Sequence, residues 1–422
     1  MNAVPTISKI DKVDFLAVEE IELRNGIMLY VIDAGEQPVC KIDVVFNAGT
    51  SNHENRVLPS AVNALLNDGT SKHSAGQIAD IIDGKGAFFM SACHMDYGIT
   101  TLFSLSRFAR DLLPLFIEIF NDAIFPEDEI ELYKTRMKQQ FLIQVQRVNV
   151  QSNQALLNAL YGKDGAYGDP TSIADYDGLS RDKLIDFYKA NVQGAPQMVF
   201  ASGKIGEELK ALIVQTFGNL KVNQPVNAGP AIFGKVTSTK ELIEIPGKNT
   251  NQVSMRFGKL ALAHDHPDFW NLSLLSTVLG GYFGSRLNKV LREEKGLTYG
   301  VHAYITQLKN SAFFNIHSEL NRDNRDEAYE ATLSVFEGLQ SKLVEKEELE
   351  MVVRYIKGSL LQSFDGPFAQ SNYLLTSQVL GLDQNRAHHY FDFLNNVTPE
   401  EIMATAQNYL NENSFYKIIA GV

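Results

Sequence analysis

The stretch QSNQALLNALYG at residues 151–162 has a counterpart, QSNYLLTSQVLG, at residues 370–381. Gln-Ser-Asn opens both stretches and a glycine closes them, at a separation of 219 positions. Further along, the apolar run at 198–203 corresponds to the run at 416–421, at a separation of 218 positions. Because an offset that is held across several segments rarely arises by chance, the sequence predicts an internal duplication.

The duplication also predicts how the chain divides into domains. A chain of 422 residues is too long for one hydrophobic core. Prolines and glycines interrupt the periodicity near residues 218–234, as in an exposed linker. We therefore predict a first domain at 1–221, a linker at 222–235 and a second domain at 236–422. The competing interpretation is two unrelated mixed domains that share only helix caps and glycine stops.

Local patterns predict the same class of fold in each half. Asn25-Gly26 marks a turn between two strand-like runs, and capping boxes at Ser74 and Thr398 each open a helix. Residues 126–160 are long and helical in period. Together these patterns predict an α+β fold with two tandem homologous domains, each a mixed or antiparallel sheet covered by helices on one face.

Composition argues against several classes of function. The 38 basic and 50 acidic residues give a net charge of -12, which repels phosphate backbones and makes nucleic acid an unlikely partner. Two cysteines, Cys40 and Cys93, are too few for a disulfide framework and indicate a reducing compartment. Met1–Phe15 carries charges where a secretory signal would be apolar, and no apolar run reaches the roughly 20 residues of a membrane span. We expect a soluble, cytoplasmic protein without a membrane partner.

The most distinctive motif lies in the second half, with GGYFGSRL at 280–287 and LREEKGLTYG at 291–300. With the duplication, it makes the chain resemble, over nearly its whole length, the zinc peptidases of the pitrilysin and mitochondrial processing peptidase family. The resemblance implies the fold of the processing peptidases and of LuxS-like metallopeptidases. Active members carry H-x-x-E-H on a helix near the start, then Gly-Thr, and a third ligand, Glu, roughly seventy to eighty positions later.

The zinc motif is degenerate in this chain. Residues at i and i+4 share a helical face and can both reach one zinc, while the Glu between them activates a metal-bound water. Counting back from Gly69-Thr70, the two His positions hold Ser60 and Ala64 and the Glu position holds Asn63. Alanine has no donor atom, serine is a poor ligand, and an amide is no base. The third-ligand region, residues 139–141, has no carboxylate. The resemblance therefore implies that this chain binds no metal and that zinc is carried by a partner subunit.

Three other groups of residues are weaker candidates for a metal-binding or catalytic site. His264-Asp265-His266 fits a charged loop before a helix better than a metal site, and His388-His389 fits a solvated pair. Cys93-His94 would need a nucleophile and a base in contact, yet neighbours on a strand point to opposite faces.

Arg292 and Tyr299 are the predicted catalytic residues. They lie seven positions apart, as does the pair that reaches in this family from the C-terminal domain toward the substrate. A guanidinium can donate to a peptide carbonyl, and a phenol to the oxyanion that forms during hydrolysis. The alternative interpretation is a charged helix end before a glycine cap, followed by the start of a strand.

The family includes bacterial pairs in which one chain supplies the metal motif and the other supplies the Arg and Tyr. The resemblance thus implies a zinc-free subunit that acts on unfolded peptides together with a homologous H-x-x-E-H subunit, is inert alone, and forms a possible homodimer when isolated. The alternative function is an inactive scaffold or a peptide-binding module with the peptidase fold.

Overall fold

The computed structural model describes residues 14–223, 242–247 and 251–422. Apart from residues 222 and 223, the predicted linker lies outside the described residues, as does nearly all of the predicted non-signal segment Met1–Phe15. The domain boundaries therefore stay a prediction.

The first half is built on a mixed sheet of six strands within the described residues. These strands are β1 (Glu19–Glu22), β2 (Met28–Asp33), β3 (Val39–Phe46), β4 (Phe88–Cys93), β5 (Gly98–Leu105) and β6 (Pro196–Gly203). Their spatial order is β1-β2-β6-β3-β5-β4, in which β2 and β6 are parallel and the other neighbours antiparallel. Strand β4 therefore forms an outer edge. The turn predicted at Asn25-Gly26 lies between β1 and β2, where Gly26 has φ 83°.

The second half repeats this arrangement. Its described strands are β7 (Leu242–Ile245), β8 (Gln252–Leu260), β9 (Thr298–Leu308), β10 (Ser311–Asn321) and β11 (Tyr416–Ala420). They lie in the order β7-β11-β8-β10-β9, with β7 and β11 parallel and the others antiparallel. This is the order β2-β6-β3-β5-β4 of the first sheet, and β9 is again an outer edge. The predicted α+β fold with two tandem homologous domains is confirmed.

Helices follow the strands in both halves. In the first half they are α1 (Val57–Ala64), α2 (Ala75–Asp83), α3 (Ser106–Asn121), α4 (Glu127–Gln144), α5 (Val148–Tyr161), α6 (Ile173–Asp177), α7 (Arg181–Asn191) and α8 (Gly206–Gly218). In the second half they are α9 (Phe269–Ser276), α10 (Arg325–Ser341), α11 (Lys346–Ser363), α12 (Gly366–Leu380), α13 (Arg386–Asn396) and α14 (Pro399–Tyr409). The predicted capping boxes at Ser74 and Thr398 are both present. Within the described residues, none of the helices is both long enough and apolar enough to cross a membrane.

The helical period predicted over residues 126–160 corresponds to two helices, α4 and α5. Arg147 is extended, with φ -76° and ψ 128°, and separates α4 from α5. Neither a glycine nor a proline marks this break. After the break, α5 packs against β8 and β11 of the second sheet.

The second face of each sheet is covered by a helix from the other half. Helix α5 packs Leu156 and Leu160 against Ile418 of β11 in the second sheet. Helix α12 reciprocally packs Leu374 against Phe200 of β6 in the first sheet. Each half also has its own core on the opposite face, formed by its own helices. The two halves are therefore interlocked by exchanged helices.

The repeated Gln-Ser-Asn motif lies at these two crossings. In the second sheet, Ser152 Oγ is 2.9 Å from Ser254 Oγ and accepts a hydrogen bond from Arg256 Nε at 3.2 Å. In the first sheet, Asn372 Oδ1 accepts from Lys41 Nζ at 2.5 Å, and Lys41 is paired with Asp43 at 2.7 Å. The motif that revealed the duplication thus supplies polar partners for buried side chains of the opposite half.

Candidate functional site

The degenerate zinc helix borders a cavity in the first half. Helix α1 contributes Val57 and Ser60 to a space of about 340 Å³. Its lining also includes the loop after β3, the β4–β5 turn, α4, the segment after α5 and the residue before α1. The cavity therefore borders the helix that carries the predicted degenerate zinc motif.

The three degenerate positions have different surroundings. Ser60 lines the cavity, and its Oγ donates to Arg56 O at 3.4 Å. Asn63 is buried, with its Nδ2 donating to Ala48 O at 3.2 Å and Pro59 O at 2.8 Å. Ala64 is exposed at the end of α1. The helix thus offers neither a metal donor at Ala64 nor a base directed at the cavity.

The α4 side chains that reach this cavity are Tyr133 and Met137. They lie before the predicted third-ligand region at residues 139–141, in which Gln139 and Gln140 are exposed. Neither Tyr133 nor Met137 carries a carboxylate. Burial raises the pKa of Tyr133, so its hydroxyl stays protonated at neutral pH.

Cys93 is a neighbour of Ser60 that sequence reasoning did not connect with α1. Its thiol, at the end of β4, donates to Ala48 O at 3.4 Å. Burial raises the pKa of Cys93 to about 11, although hydrogen bonds from Ser60 and from the backbone of Thr50 oppose the shift. The thiol is therefore protonated and unreactive. His94 stacks on Tyr97 at 4.4 Å and does not serve as its base.

Arg56 places a positive charge at the cavity, whose lining also contains the carboxylate of Asp169. Its guanidinium donates to the carbonyls of Thr50, His53 and Gly165 at 2.9, 2.7 and 2.6 Å. Among the described residues, no carboxylate lies within ion-pair distance of it, and burial lowers the pKa of Arg56. Across residues 14–223, 242–247 and 251–422, no three His, Cys, Asp or Glu side chains are grouped to hold a metal ion. The residues of this cavity do not fit a zinc ion.

Arg292 is fixed in the second half by a helical turn. It belongs to the π-helical segment Asn288–Glu294, which follows another at Thr277–Gly281. The Asn288 side chain donates to Val301 O and accepts from Val301 N, both at 2.9 Å, and so joins this segment to β9. The Arg292 guanidinium lies 3.3 Å from the centre of the Phe283 ring and pairs with Glu293 at 2.6 Å.

Close packing and a turn explain the glycines of this motif. A Cβ at Gly280 would lie 2.8 Å from Ala303 Cβ on β9, so the π-helical turn reaches the strand only with glycine there. Gly296, with φ 64°, ends the second segment in the left-handed region. These contacts place Tyr299 near the start of β9.

Tyr299 is fully exposed, at 101% of its reference area. The other end of β9 meets the first half, where Lys309 N donates to Asp96 Oδ2 at 2.9 Å and Tyr167 OH donates to Asp96 Oδ1 at 2.6 Å. Leu308 is nine positions along β9 from Tyr299, which is about 30 Å at a rise of about 3.3 Å per residue. Arg292 and Tyr299 therefore lie together at one end of the second half, and Ser60 lies beyond the opposite end of β9.

The remaining histidine groupings do not form metal sites. His264 packs its ring against Phe269 and Trp270, at 4.5 and 4.8 Å. His388 packs on Phe15, and the exposed His389 lies 3.3 Å from Asp383. These contacts are those of a packed loop and of a solvent-facing helix.

Comparison with known sequences identifies related proteins. Residues 178–356 match the family model described as the peptidase M16 inactive domain. An uncharacterized zinc protease of Streptomyces coelicolor is 21% identical over 84% of this chain and 78% of its own length. The zinc protease YmxG of Bacillus subtilis is 22% identical over 83% of this chain and 85% of its own.

Solved structures share the fold. The peptidase M16 inactive domain protein from Pseudomonas fluorescens superimposes with a TM-score of 0.85 at 24% identity, covering 96% of this chain and 98% of that one. A protease from Helicobacter pylori gives 0.84 at 16% identity, covering 97% of this chain and all of that one. The periplasmic protease PqqL from Escherichia coli gives 0.78 at 14% identity, covering 99% of this chain and 48% of PqqL.

The family model covers much of the second half, and the relatives and structural neighbours cover most of the chain. The predicted resemblance to the pitrilysin and processing peptidase class is thereby confirmed. Residues 178–356 thus match the peptidase M16 inactive domain, and relatives of 21% to 22% identity extend the similarity to M16-type zinc proteases over most of the chain.

Proposed function

We propose that this chain is the zinc-free subunit of a heteromeric M16 peptidase and supplies Arg292 and Tyr299 to a peptide bound at the zinc of a homologous H-x-x-E-H subunit. The observation that carries the proposal is the position of Tyr299, fully exposed and about 30 Å along β9 from the contact with the first half. A phenol at that place is remote from the cavity beside Ser60. It is available to a second polypeptide.

The chemistry of the pair suits a site whose metal lies on another chain. The Tyr299 hydroxyl can donate to the oxyanion that forms on the scissile carbonyl, and the Arg292 guanidinium can donate to a neighbouring peptide carbonyl. Arg292 is held in place by the Phe283 ring and Glu293. To meet a substrate it has to exchange the Glu293 carboxylate for a peptide oxygen.

Extended peptides are the substrate class that the outer strands favour. Among the described strands none pairs with the outer edge of β4, and Phe88 and Met90 alternate along it as exposed side chains. Strand β9 is the corresponding edge of the second sheet. Unpaired strand edges can bind an extended segment through main-chain hydrogen bonds, as an unfolded peptide requires.

The second candidate function is an inactive scaffold or peptide-binding module. The observation in its favour is that Arg292 already has two partners, Glu293 and Phe283. A catalytic subunit would have to free Arg292 from these partners to bind a peptide, whereas a scaffold would not.

The test is reconstitution with a homologous H-x-x-E-H subunit from the same organism, followed by assay with a quenched fluorescent peptide. We expect Tyr299→Phe and Arg292→Ala each to lower kcat/KM by roughly 10²- to 10³-fold without dissociating the pair, because each removes a donor to the transition state. Tyr355→Phe and Arg354→Ala, at other exposed positions of the second half, are matched controls.

Undiminished turnover in both variants of an active pair would reject the assigned roles. Absence of activity in every reconstituted mixture would favour the scaffold. Tightly bound zinc and chelator-sensitive cleavage in the isolated chain would reject both candidates.

A further inference from the structure

The cavity beside Ser60 has one charged side chain of each sign among the described residues that line it, Arg56 and Asp169. Burial lowers the pKa of Arg56 and the nearby charge of Asp169 opposes that shift, yet the two side chains are not within ion-pair distance of each other. The volume of about 340 Å³ is at the lower end of the range for small-molecule sites. The cavity is therefore a small site whose lining carries two separated, opposite charges.

Both charged groups keep part of their hydrogen-bonding capacity for a ligand. Arg56 Nη1 donates to Thr50 O and His53 O, and Nη2 donates to Gly165 O. Since Nη2 carries two N–H groups, one of them has no acceptor in the parts of the chain that the structure describes. Arg56 Nε is also unpaired, but it is fully covered and lies beyond the reach of a ligand. Asp169 Oδ1 accepts one backbone N–H at 3.2 Å, which leaves Oδ2 open.

Two buried phenols in the lining have no hydrogen-bond partner among the described residues. Tyr133 and Tyr176 line the cavity and are only 4% and 8% exposed. Unlike Arg56 Nε, which is fully covered and unpaired, both hydroxyl oxygens keep accessible surface. Burial raises the pKa of both tyrosines, so both hydroxyls are protonated at neutral pH and can donate as well as accept. Buried polar groups are nearly always paired, so two open phenols at one cavity indicate a polar ligand.

Asn153 of the repeated Gln-Ser-Asn motif is open in the same way. Its counterpart Asn372 accepts a hydrogen bond from the buried Lys41 of the opposite half. Asn153 instead lines the cavity, half-buried, and its amide makes no hydrogen bond to any residue within 14–223, 242–247 and 251–422. The motif thus serves the fold at one crossing and leaves a free donor and acceptor at the other.

Part of the lining is apolar and comprises Val57, Met95, Met137, Leu157 and Ala166. Methionine side chains adapt their shape to different apolar groups. A ligand with a single charge would meet a like charge elsewhere in the lining, whereas a zwitterion has a partner for each of its charges. The lining therefore matches a small molecule with a zwitterionic head and an apolar body.

We propose that the cavity beside Ser60 binds a free α-amino acid with an apolar side chain. The carboxylate accepts from Arg56 Nη2 and from a phenol, the ammonium group donates to Asp169 Oδ2, and the side chain lies against the methionines. This inference does not depend on the proposed peptidase role, because the assay uses the isolated chain and involves neither Arg292 nor Tyr299.

The test is calorimetric titration of the isolated full chain at pH 7 with L-leucine and L-methionine. Two analogues each remove one charge of the head, since L-leucinamide has no carboxylate and N-acetyl-L-leucine has no ammonium group. We expect saturable binding of the amino acids and binding of both analogues that is weaker by about tenfold or more, because hydrogen bonds between charged groups are the strong ones. No saturable binding of either amino acid, or equal binding of L-leucine and the two analogues, would overturn the proposal.

Variants of the phenols separate binding from folding. Tyr133→Phe and Tyr176→Phe remove hydroxyls that have no partner among the described residues, so the melting temperature should stay the same or rise. The affinity for L-leucine should fall about three- to tenfold in at least one of them, through loss of a hydrogen bond. Tyr188→Phe is the control, because the Tyr188 hydroxyl accepts from Ala123 N at 3.1 Å. That variant should melt earlier and bind L-leucine as the parent does.

A charge variant tests the position of the ammonium group. Asp169→Asn should weaken the binding of L-leucine about tenfold and should not weaken that of N-acetyl-L-leucine, which has no ammonium group to lose. Asp164→Asn, at an exposed position of the same segment after α5, should bind both probes as the parent does. Unchanged affinity for L-leucine in Asp169→Asn and in both phenylalanine variants would contradict the inference.

Discussion

At the scale of single residues, the surroundings of Asn63 fit an amide side chain at this position of α1. Its Nδ2 donates to two backbone carbonyls, and its Oδ1 would lie 2.5 Å from a Cβ added to Gly98. A glutamate at this place would set a buried carboxylate against carbonyl oxygens without donors, which is costly. Asn63 is therefore buried and hydrogen-bonded in the way of a residue that stabilises the fold.

Restoring the H-x-x-E-H residues should not restore a metal site. We expect the triple variant Ser60→His, Asn63→Glu, Ala64→His to retain no stoichiometric zinc through dialysis and to melt earlier than the parent. The third ligand is missing, Arg56 repels a cation, and Asn63 is buried. Zinc content and thermal unfolding are the measurements, and Ala64→His alone, at an exposed position, is the control. One zinc retained per chain would contradict this prediction.

The buried pair of Lys41 and Asp43 gives a second residue-scale prediction. Both side chains are at most 3% exposed, and Asp43 also accepts from Thr101 at 2.7 Å. Lys41→Met should lower the free energy of unfolding by about 3–5 kcal/mol, because it leaves an unpaired buried carboxylate. The double variant Lys41→Met, Asp43→Leu should recover most of that loss in urea denaturation. A double variant no more stable than the single one would contradict the explanation.

At the scale of elements, the crossing of α5 over the second sheet depends on a glycine. Leu156 of α5 fills the space above Gly258 of β8, where an added Cβ would lie 2.3 Å from Leu156 Cδ1. Both residues lie at the contact between the halves, so their packing determines how closely the exchanged helix approaches.

A double-mutant cycle tests this contact. Gly258→Ala should lower the free energy of unfolding by about 1–3 kcal/mol through overpacking, and Leu156→Ala by about 2–5 kcal/mol through loss of a buried side chain. The double variant should lose less than the sum, because the smaller residue makes room for the added methyl group. Gly338→Ala, at a position of α10 with nothing within 4 Å, is the control and should be neutral or stabilising. Additive losses at Gly258 and Leu156 would show that the two residues are not coupled.

At the scale of the whole molecule, two histidines make stability depend on pH. Burial, then Arg386, lowers the pKa of His264 to about 4, and burial, then Arg256 and His302, does the same for His317. In the unfolded chain both would titrate near about 6.5, so between these values the unfolded state binds more protons. The contribution to stability is thus complete above about pH 6.5 and is lost as the pH falls toward 4.

We therefore expect the urea concentration at the unfolding midpoint to decrease when the pH is lowered from 7 to 5. The decrease should be smaller in His317→Gln. The variant removes one group that must be neutral in the folded state. His266→Gln, an exposed histidine, should leave the pH dependence of the parent. A fall in His317→Gln as large as in the parent would show that His317 does not contribute.

The exchange of helices is also a property of the whole molecule. Each half buries the open sheet face of the other, so neither half has a complete set of cores alone. The contact at Asp96 further joins the β4–β5 and β9–β10 turns. Tyr299 lies at the far end of β9 from that contact, which gives the molecule one end with the degenerate cavity and another with the Arg and Tyr pair.

The sequence by itself determined the features that depend on local chemistry. The duplication, the α+β class and the caps at Ser74 and Thr398 follow from periodicity and from side chains that bond to neighbouring backbone. The prediction of a degenerate motif at Ser60, Asn63 and Ala64 also rests on residue type, since these side chains cannot hold and activate a metal. The association of Arg292 with Tyr299 rested on their spacing within a recognisable motif.

Only the tertiary structure decided what meets across long separations in the chain. A periodic pattern indicates that Leu156 is buried, but it does not show that the residues that cover Leu156 belong to the other half. The break at Arg147 likewise has no local signal in the sequence. The physical reason is that burial and hydrogen bonding depend on which surfaces pack together, and that choice is made by the whole chain.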